Sequence, residues 1–444
     1  MPEAAESPER LRILVTGAGG FIGRHLVAAL RAAGHEVVGA ARDPAAARRL
    51  YPEIEWRGVD FNRALAPADW APVLQGVDAV VNCAGILQSA RGNDVHRVHT
   101  TAPIALFQAA EAAGIRRVVQ VSALGAEAGA GSAYAASKER ADEALAASRL
   151  DWVVLQPSLV YARDSYGGTA LMRAMAALPY VVPLPGRGRQ AFQPIHMADL
   201  AAVAVALMAP GAPVRTRLVA SGPEPLDLRQ ILAGYRRWLG FGEARFLPVP
   251  MSMIRLAARL GDGLRWLGGT GALCSTAVAQ LEYGNAAQPD PRLAAMGIRP
   301  RRFADALTAE PAGVAERWHA RLYFLRPALR WSLGLFWLWT GIATALLYPR
   351  AGSEQLMAEA GIPPALFGAT FWLGSAFDVA VGLALLARWH VRRVAAVAIF
   401  ATVVYLVWLS LTMGALWLHP LGALSKLVPL VAAMAAMAAI EEDR

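Results

Sequence analysis

From Trp331 to Tyr348 the chain carries no charged side chain, and comparable apolar stretches run from Ala365 to Ala387, Val394 to Leu418 and Leu421 to Ile440. About 20 such residues cross the hydrocarbon core of a bilayer, where backbone polar groups must be satisfied within the segment, so this part of the chain is confined to helices. Four spans are therefore predicted over residues 331–440. Val394–Leu418 is apolar on every side, which argues against a soluble bundle. Arg317, Arg321, Arg326 and Arg330 precede the first span, and Arg388, Arg392 and Arg393 lie between the second and third. The positive-inside bias then predicts a multi-pass protein of a bacterial-type inner membrane, with both termini and everything before residue 311 in the cytoplasm. Asp378 and Lys426 fall within these stretches, where a charge costs roughly 2.5–3.5 kcal/mol, so they are expected to pair or to line a polar pocket. Lys426 is also near enough to its span's end to snorkel to the interface.

A chain of 444 residues exceeds what one core supports, so at least two units are expected. Residues 1–10 are polar, without the apolar core of a secretory signal, and are predicted disordered; 11–310 read as a first domain and 311–330 as a linker. Two cysteines, Cys83 and Cys274, make no disulfide framework and show no metal-ligand spacing, so no metal is predicted. The net charge of +9 comes from scattered arginines, many beside apolar segments, which points to a membrane rather than to nucleic acid.

The run from Arg12 to Thr16 leads directly into Gly17-Ala-Gly-Gly20-Phe21-Ile22-Gly23 and then an Ala/Leu-rich helical pattern, with a second strand expected from His35 to Ala41. A strand, glycine turn and helix in this order form a dinucleotide site: Gly17 permits the turn, Gly20 admits the pyrophosphate, Gly23 allows close packing, and the helix N-terminus attracts the anion. No carboxylate ends the second strand. Arg42 stands there instead and suits a 2′-phosphate, so NADP(H) is preferred over NAD(H), although the neighbouring Asp43 leaves NAD(H) open. Arg24 reads equally as a phosphate ligand or as a surface helix residue.

With these features the first 310 residues resemble the extended and atypical members of the short-chain dehydrogenase/reductase superfamily. The resemblance implies an α/β doubly wound parallel sheet. It also implies that Asp60 and Phe61 border the adenine, that Asn82-Cys-Ala84-Gly85 is the family's Asn-x-Ala-Gly turn, and that Pro157, in Gln156-Pro-Ser-Leu-Val-Tyr161, lies beside the nicotinamide carboxamide. Residues 192–199 are similar to a segment returning to the core, and 163–195 with 220–310 form a smaller substrate region. Gln156 replaces a usual Arg, and the superfamily's helical Asn is replaced near His99. The tail from Leu281 resembles the branch that includes the dehydrogenase-like accessory subunit of respiratory complex I.

The chain's 43 basic residues include only two lysines, and one of them completes Tyr134-Ala-Ala-Ser-Lys138. A spacing of i, i+4 on a helix predicted from Tyr134 to Ala147 puts both side chains on one face, about 5–6 Å apart at Cβ. The ammonium is expected to lower the pKa of the Tyr134 phenol and to hold the nicotinamide ribose, with Tyr134 as general acid/base. The resemblance adds Ser122, at the end of a strand from Val118, as a donor to the substrate oxygen. The segment His419–Pro429 is similar to the last helix of DoxX-like four-helix membrane proteins, some of which are linked to quinone chemistry. Three functions follow: a membrane-tethered NADP(H)-dependent oxidoreductase of a carbonyl, alcohol or quinone-like lipophilic substrate; a non-catalytic NADPH-binding structural or redox-sensing subunit docked to a respiratory or redox complex; or a sugar-nucleotide epimerase or dehydratase.

Overall fold

The computed structural model of the chain describes residues 10–89, 92–126, 132–164, 166–266 and 274–441. Nearly all of the N-terminal segment expected to be disordered, and most of the Gly/Ala-rich stretch before Tyr134, lie outside these residues. Among the described residues one compact unit comprises 10–262 and 274–320, and the other 263–266 and 321–441.

Seven parallel strands form the first unit's sheet: β1 (Arg12–Thr16), β2 (Glu36–Ala41), β3 (Glu55–Gly58), β4 (Ala79–Asn82), β5 (Arg117–Val121), β6 (Asp151–Pro157) and β7 (Thr216–Ala220). Their order is β3-β2-β1-β4-β5-β6-β7, with the topological switch between β1 and β4. The central strands are rich in buried apolar residues because both faces are covered. Ile13, Val15, Val119 and Val153 pack with α1 (Phe21–Ala32) on one face, while Leu14, Val80, Val118 and Val154 pack with α2 (Ala102–Ala112) and α3 (Ala133–Ala146) on the other. The helix α4 (Met197–Ala206) joins the first face. A separate core of Tyr161, Val182, Leu228, Ile231, Tyr235 and Phe303 holds the smaller region together. Inside it the buried Arg173 guanidinium lies 4.5 Å from the Trp238 ring and donates to the Ala162 and Arg163 carbonyls. The strand pair Val181–Pro185 and Arg245–Val249 leads into α5 (Met251–Trp266).

The second unit is helical and departs from the sequence expectation in detail. Residues 314–342 form one helix, α6 (Val314–Ile342), so the stretch read as a linker is helical from Val314. After a π turn the chain breaks by 110° at Pro349 into α7 (Arg350–Glu359). The helices α8 (Phe367–Leu386) and α9 (Val391–Thr412) follow. Among the described residues, Pro364–Leu386 and Val391–Thr412 are long and apolar enough to cross a membrane, and the bent pair would make a third such span. The fourth expected span is a helix only in its second part, α10 (Leu427–Ile440). Its 14 residues reach about 21 Å. Pro420 and the left-handed Gly422 (φ +67°) hold the preceding segment in turns.

Small residues bring α6 and α8 together: a Cβ on Gly382 would lie 2.5 Å from the Leu338 nitrogen. One end of this bundle is cationic. Arg330 donates to the Leu385 carbonyl, and Arg388 bonds the buried Glu441 carboxylate at 2.7 Å. Thr340 hydrogen-bonds Asp378, and Lys426 is exposed at the N-cap of α10, at a helix end rather than within a span.

Candidate functional site

The glycine turn is built by exclusion of side chains. Gly17 has φ +62°, and a Cβ there would meet the Cys83 and Ala84 backbone at 3.0 Å. At Gly23 a Cβ would lie 2.1 Å from the Gly17 carbonyl oxygen, so α1 can approach the turn only without one. Gly20 N donates to Gly17 O at 2.9 Å and caps α1 with no side chain, and no acidic residue occupies the first turn. The first amides of α1, including those of Phe21, Ile22 and Gly23, thus offer their field to an anion. Phe21 stacks on Tyr166 at 6.3 Å. This side-chain-free cradle fits a dinucleotide pyrophosphate.

At the end of β2, Arg42 Nη1 donates to Asn93 Oδ1 at 3.0 Å. Asp43 is engaged locally: its carboxylate accepts from Ala46 N at 2.9 Å and caps the helix Pro44–Leu50. Asp60 closes a turn, accepting from Asn62 N at 3.0 Å. Phe61 is buried, edge-on to Trp70 at 5.1 Å. Arg24 is no free phosphate ligand, because its guanidinium pairs with Asp164, which His25 also contacts at 3.1 Å.

The helix α3 starts at the Ser132 cap, whose hydroxyl accepts from Ala135 N, and so places Tyr134 in its first turn and Lys138 one turn on. Lys138 Nζ is buried, donates to the Val121 carbonyl at 3.1 Å and lies 5.8 Å from the Tyr134 ring centroid. Gly85 closes against the same group: a Cβ there would be 3.7 Å from Lys138 Nζ and 3.3 Å from His99 Nε2. The Asn-x-Ala-Gly turn and the Tyr-x-x-x-Lys helix are therefore brought together at the C-terminal ends of β4 and β5, where ligands bind in such sheets. Pro157 ends β6 nearby and accepts from Leu124 N at 2.9 Å.

His99 supports this junction. Its Nε2 accepts from Ile86 N at 2.9 Å, so the proton of the neutral ring is on Nδ1, facing Ser137 Oγ at 3.0 Å. Burial, with Lys138 adding to it, pushes its pKa down to about 2. Its ring meets Tyr134 edge-on at 5.3 Å.

Burial, reinforced by the Asp142 carboxylate, pushes the Tyr134 phenol up to about 12 in this state. The Ser122 hydroxyl donates to the Asp142 carboxylate. Asp142 lies one turn beyond Lys138 on α3, fully buried, and burial raises it to about 6 against the opposing effects of the Ser122 hydrogen bond and Lys138. Sequence reading passed over Asp142, although the spacing 134, 138, 142 on one helix face could have marked it. The Thr16–Asn82–Gln120 chain of buried polar groups was missed as well: Thr16 donates to Asn82, and Asn82 Nδ2 to Gln120 Oε1 at 2.6 Å.

The smaller region walls the site. Gln280 donates to Ser132 Oγ at 3.0 Å, Gln88 to Asp262 Oδ1 at 3.1 Å, and Tyr283 fills the space where Gly125 would carry a Cβ.

Residues 17–209 match the model of an NAD(P)H-binding family, and residues 334–435 that of the DoxX-like family. A 3-diazoavenalumate denitrifying reductase from Streptomyces sp is 30% identical over 273 residues, which cover 54% of this chain and 86% of that protein. A ceramide reductase from Caulobacter vibrioides is 32% identical over 197 residues, 44% of this chain, and the match spans only 60% of its length. Among solved structures, an NADPH-dependent quinone oxidoreductase from Escherichia coli, in complex with NADPH, superposes with a TM-score of 0.52 at 20% identity over 67% of this chain and 99% of its own. A dTDP-glucose 4,6-dehydratase from Bacillus anthracis, in complex with NAD, gives 0.52 at 16% identity over 70% and 98%. At these identities the structural likeness establishes the fold.

Proposed function

The chain belongs to the NAD(P)H-binding family of short-chain dehydrogenase/reductase type and carries a DoxX-like region behind that domain, and from this premise we propose that it is a membrane-anchored reductase that uses NADPH on a carbonyl or quinone-like group of a lipophilic substrate. The observation that carries the proposal is the convergence of Tyr134, Lys138 and the Gly85 turn at one end of the sheet, downstream of a pyrophosphate cradle.

When bound, the nicotinamide supplies a hydride to the carbonyl carbon. The Tyr134 hydroxyl gives its proton to the carbonyl oxygen, and the product is the alcohol. Lys138 holds the ribose and compensates the phenolate left behind. His99, neutral and bonded at both nitrogens, fixes the ring of Tyr134 rather than moving protons. Arg42 at the end of β2, with Asp43 occupied as a helix cap, favours the 2′-phosphate of NADPH over the bare ribose hydroxyl of NADH. The ceramide in one relative's name is a lipid, which supports a lipophilic substrate. The arrangement of Arg330, Arg388 and Glu441 at one end of the bundle supports a multi-pass anchor with that end at the cytoplasmic face of the inner membrane.

Detergent-solubilised full-length protein, NADPH deuterated at nicotinamide C4 and a lipid extract are expected to yield a deuterated alcohol, read by mass spectrometry. Tyr134→Phe is expected to lower turnover about 10²–10⁴-fold while NADPH binding persists. The commitment of the Ser122 hydroxyl to Asp142 favours a second reading, an NADPH-binding structural or redox-sensing subunit. Tight NADPH binding with no label transferred, identical for Tyr134→Phe, would establish that reading instead.

A further inference from the structure

The helix α5 is apolar on two faces. Ala258 is fully buried and Ile254 half-buried on the inner face, while Met253, Leu256 and Leu260 are 60%, 59% and 63% exposed. Spacings of three and four residues align these three in one outward stripe. Leu247, on the strand that feeds into α5, is 56% exposed as well. A contiguous outer stripe of large apolar side chains marks a binding surface rather than a solvated helix face.

We propose that α5 lies in the headgroup region of the bilayer and docks the NAD(P)H-binding unit on the membrane surface. Three arginines against one aspartate make the helix cationic, and Arg259 borders the stripe, the charge pattern of an interfacial helix on anionic lipid. The occupant is at hand, because the same chain carries helices long and apolar enough to cross a membrane and so keeps a bilayer at high effective concentration. The helix also borders the site: Asp262 accepts from Gln88, three residues beyond the Gly85 that closes on Lys138. A lipid-borne substrate thus enters from the membrane along α5. This last step rests on the reading of the substrate as lipophilic; the docking does not.

The test places an environment-sensitive fluorophore at Leu256→Cys or, as control, at the exposed Leu50→Cys, in the full chain in nanodiscs of phosphatidylcholine and phosphatidylglycerol, with the unsubstituted chain as the labelling blank. Nitroxide-bearing lipids are expected to quench the probe at 256 several-fold more than that at 50, and less when phosphatidylglycerol is omitted. Equal quenching at both positions, or energy transfer between two copies with no lipid quenching, would overturn the proposal. Met253→Asp/Leu260→Asp, checked by NADPH titration to be folded, is expected to abolish the difference and to raise KM for a vesicle-borne ketone but not for a short water-soluble one. Strong lipid quenching without that KM effect upholds the docking and overturns only the lipophilic-substrate reading.

Discussion

Asp142 shows how a single side chain connects α3 to the sheet. It accepts the Ser122 hydroxyl at the end of β5 and lies one turn beyond Lys138, whose charge it favours against burial. Its carboxyl is held near 6 against an ordinary 3.8, so between those values the folded chain binds more protons than the unfolded one. The carboxyl therefore favours folding at low pH, and this contribution declines as pH rises through the window. Asp142→Asn is expected to remove that dependence: on chemical unfolding followed by tryptophan fluorescence, the stability of wild type relative to the variant falls on the order of 2 kcal/mol from pH 4 to pH 7. A constant difference would show that the carboxyl is not desolvated. Tyr134 and Lys138 were legible because their relation is local, four residues on one helix. The fate of Ser122 was not, since it depends on which face of α3 meets β5, a contact between segments 20 residues apart.

At the scale of elements, the proposed preference for NADPH rests on the end of β2. Glycine spacing revealed the β1 turn from sequence because each missing Cβ answers one backbone contact, but the occupation of Asp43 as a helix cap emerged only from the fold. Replacing Arg42 by Ala is expected to lower affinity for NADPH about 10–100-fold while leaving NADH nearly unchanged, the loss of one or two charge-assisted hydrogen bonds. Isothermal titration with both cofactors checks this, and an equal loss for both would assign Arg42 a purely structural part. The apolar pattern of residues 421–440 gave the right length for a span and the wrong helix. Composition registers hydrophobicity, whereas Pro420 and Gly422 determine where backbone hydrogen bonding begins.

For the whole molecule, the proposed threading of the chain rests on the cationic end of the bundle. The bond from Arg388, between α8 and α9, to Glu441 after α10 returns the chain to the end where it left α8, even though α10 alone is short. Labels at Trp389 and after Glu441 are therefore expected to be reachable from the face on which Arg330 lies, and a label at Ile362 only from the other. Impermeant maleimide on intact and opened vesicles reads this, and a shared face for 362 and 389 would refute it. In the first unit, Thr16, Asn82 and Gln120 stand opposite one another on β1, β4 and β5 and are linked side chain to side chain. Slipping any one strand by a residue would turn its polar group to the opposite face of the sheet and strand the other two in an apolar interior. The three side chains act as a bolt through the centre of the sheet: they fix the alignment of the strand that leads into the Gly17 turn with the strands that carry the Gly85 turn and the Lys138 contact.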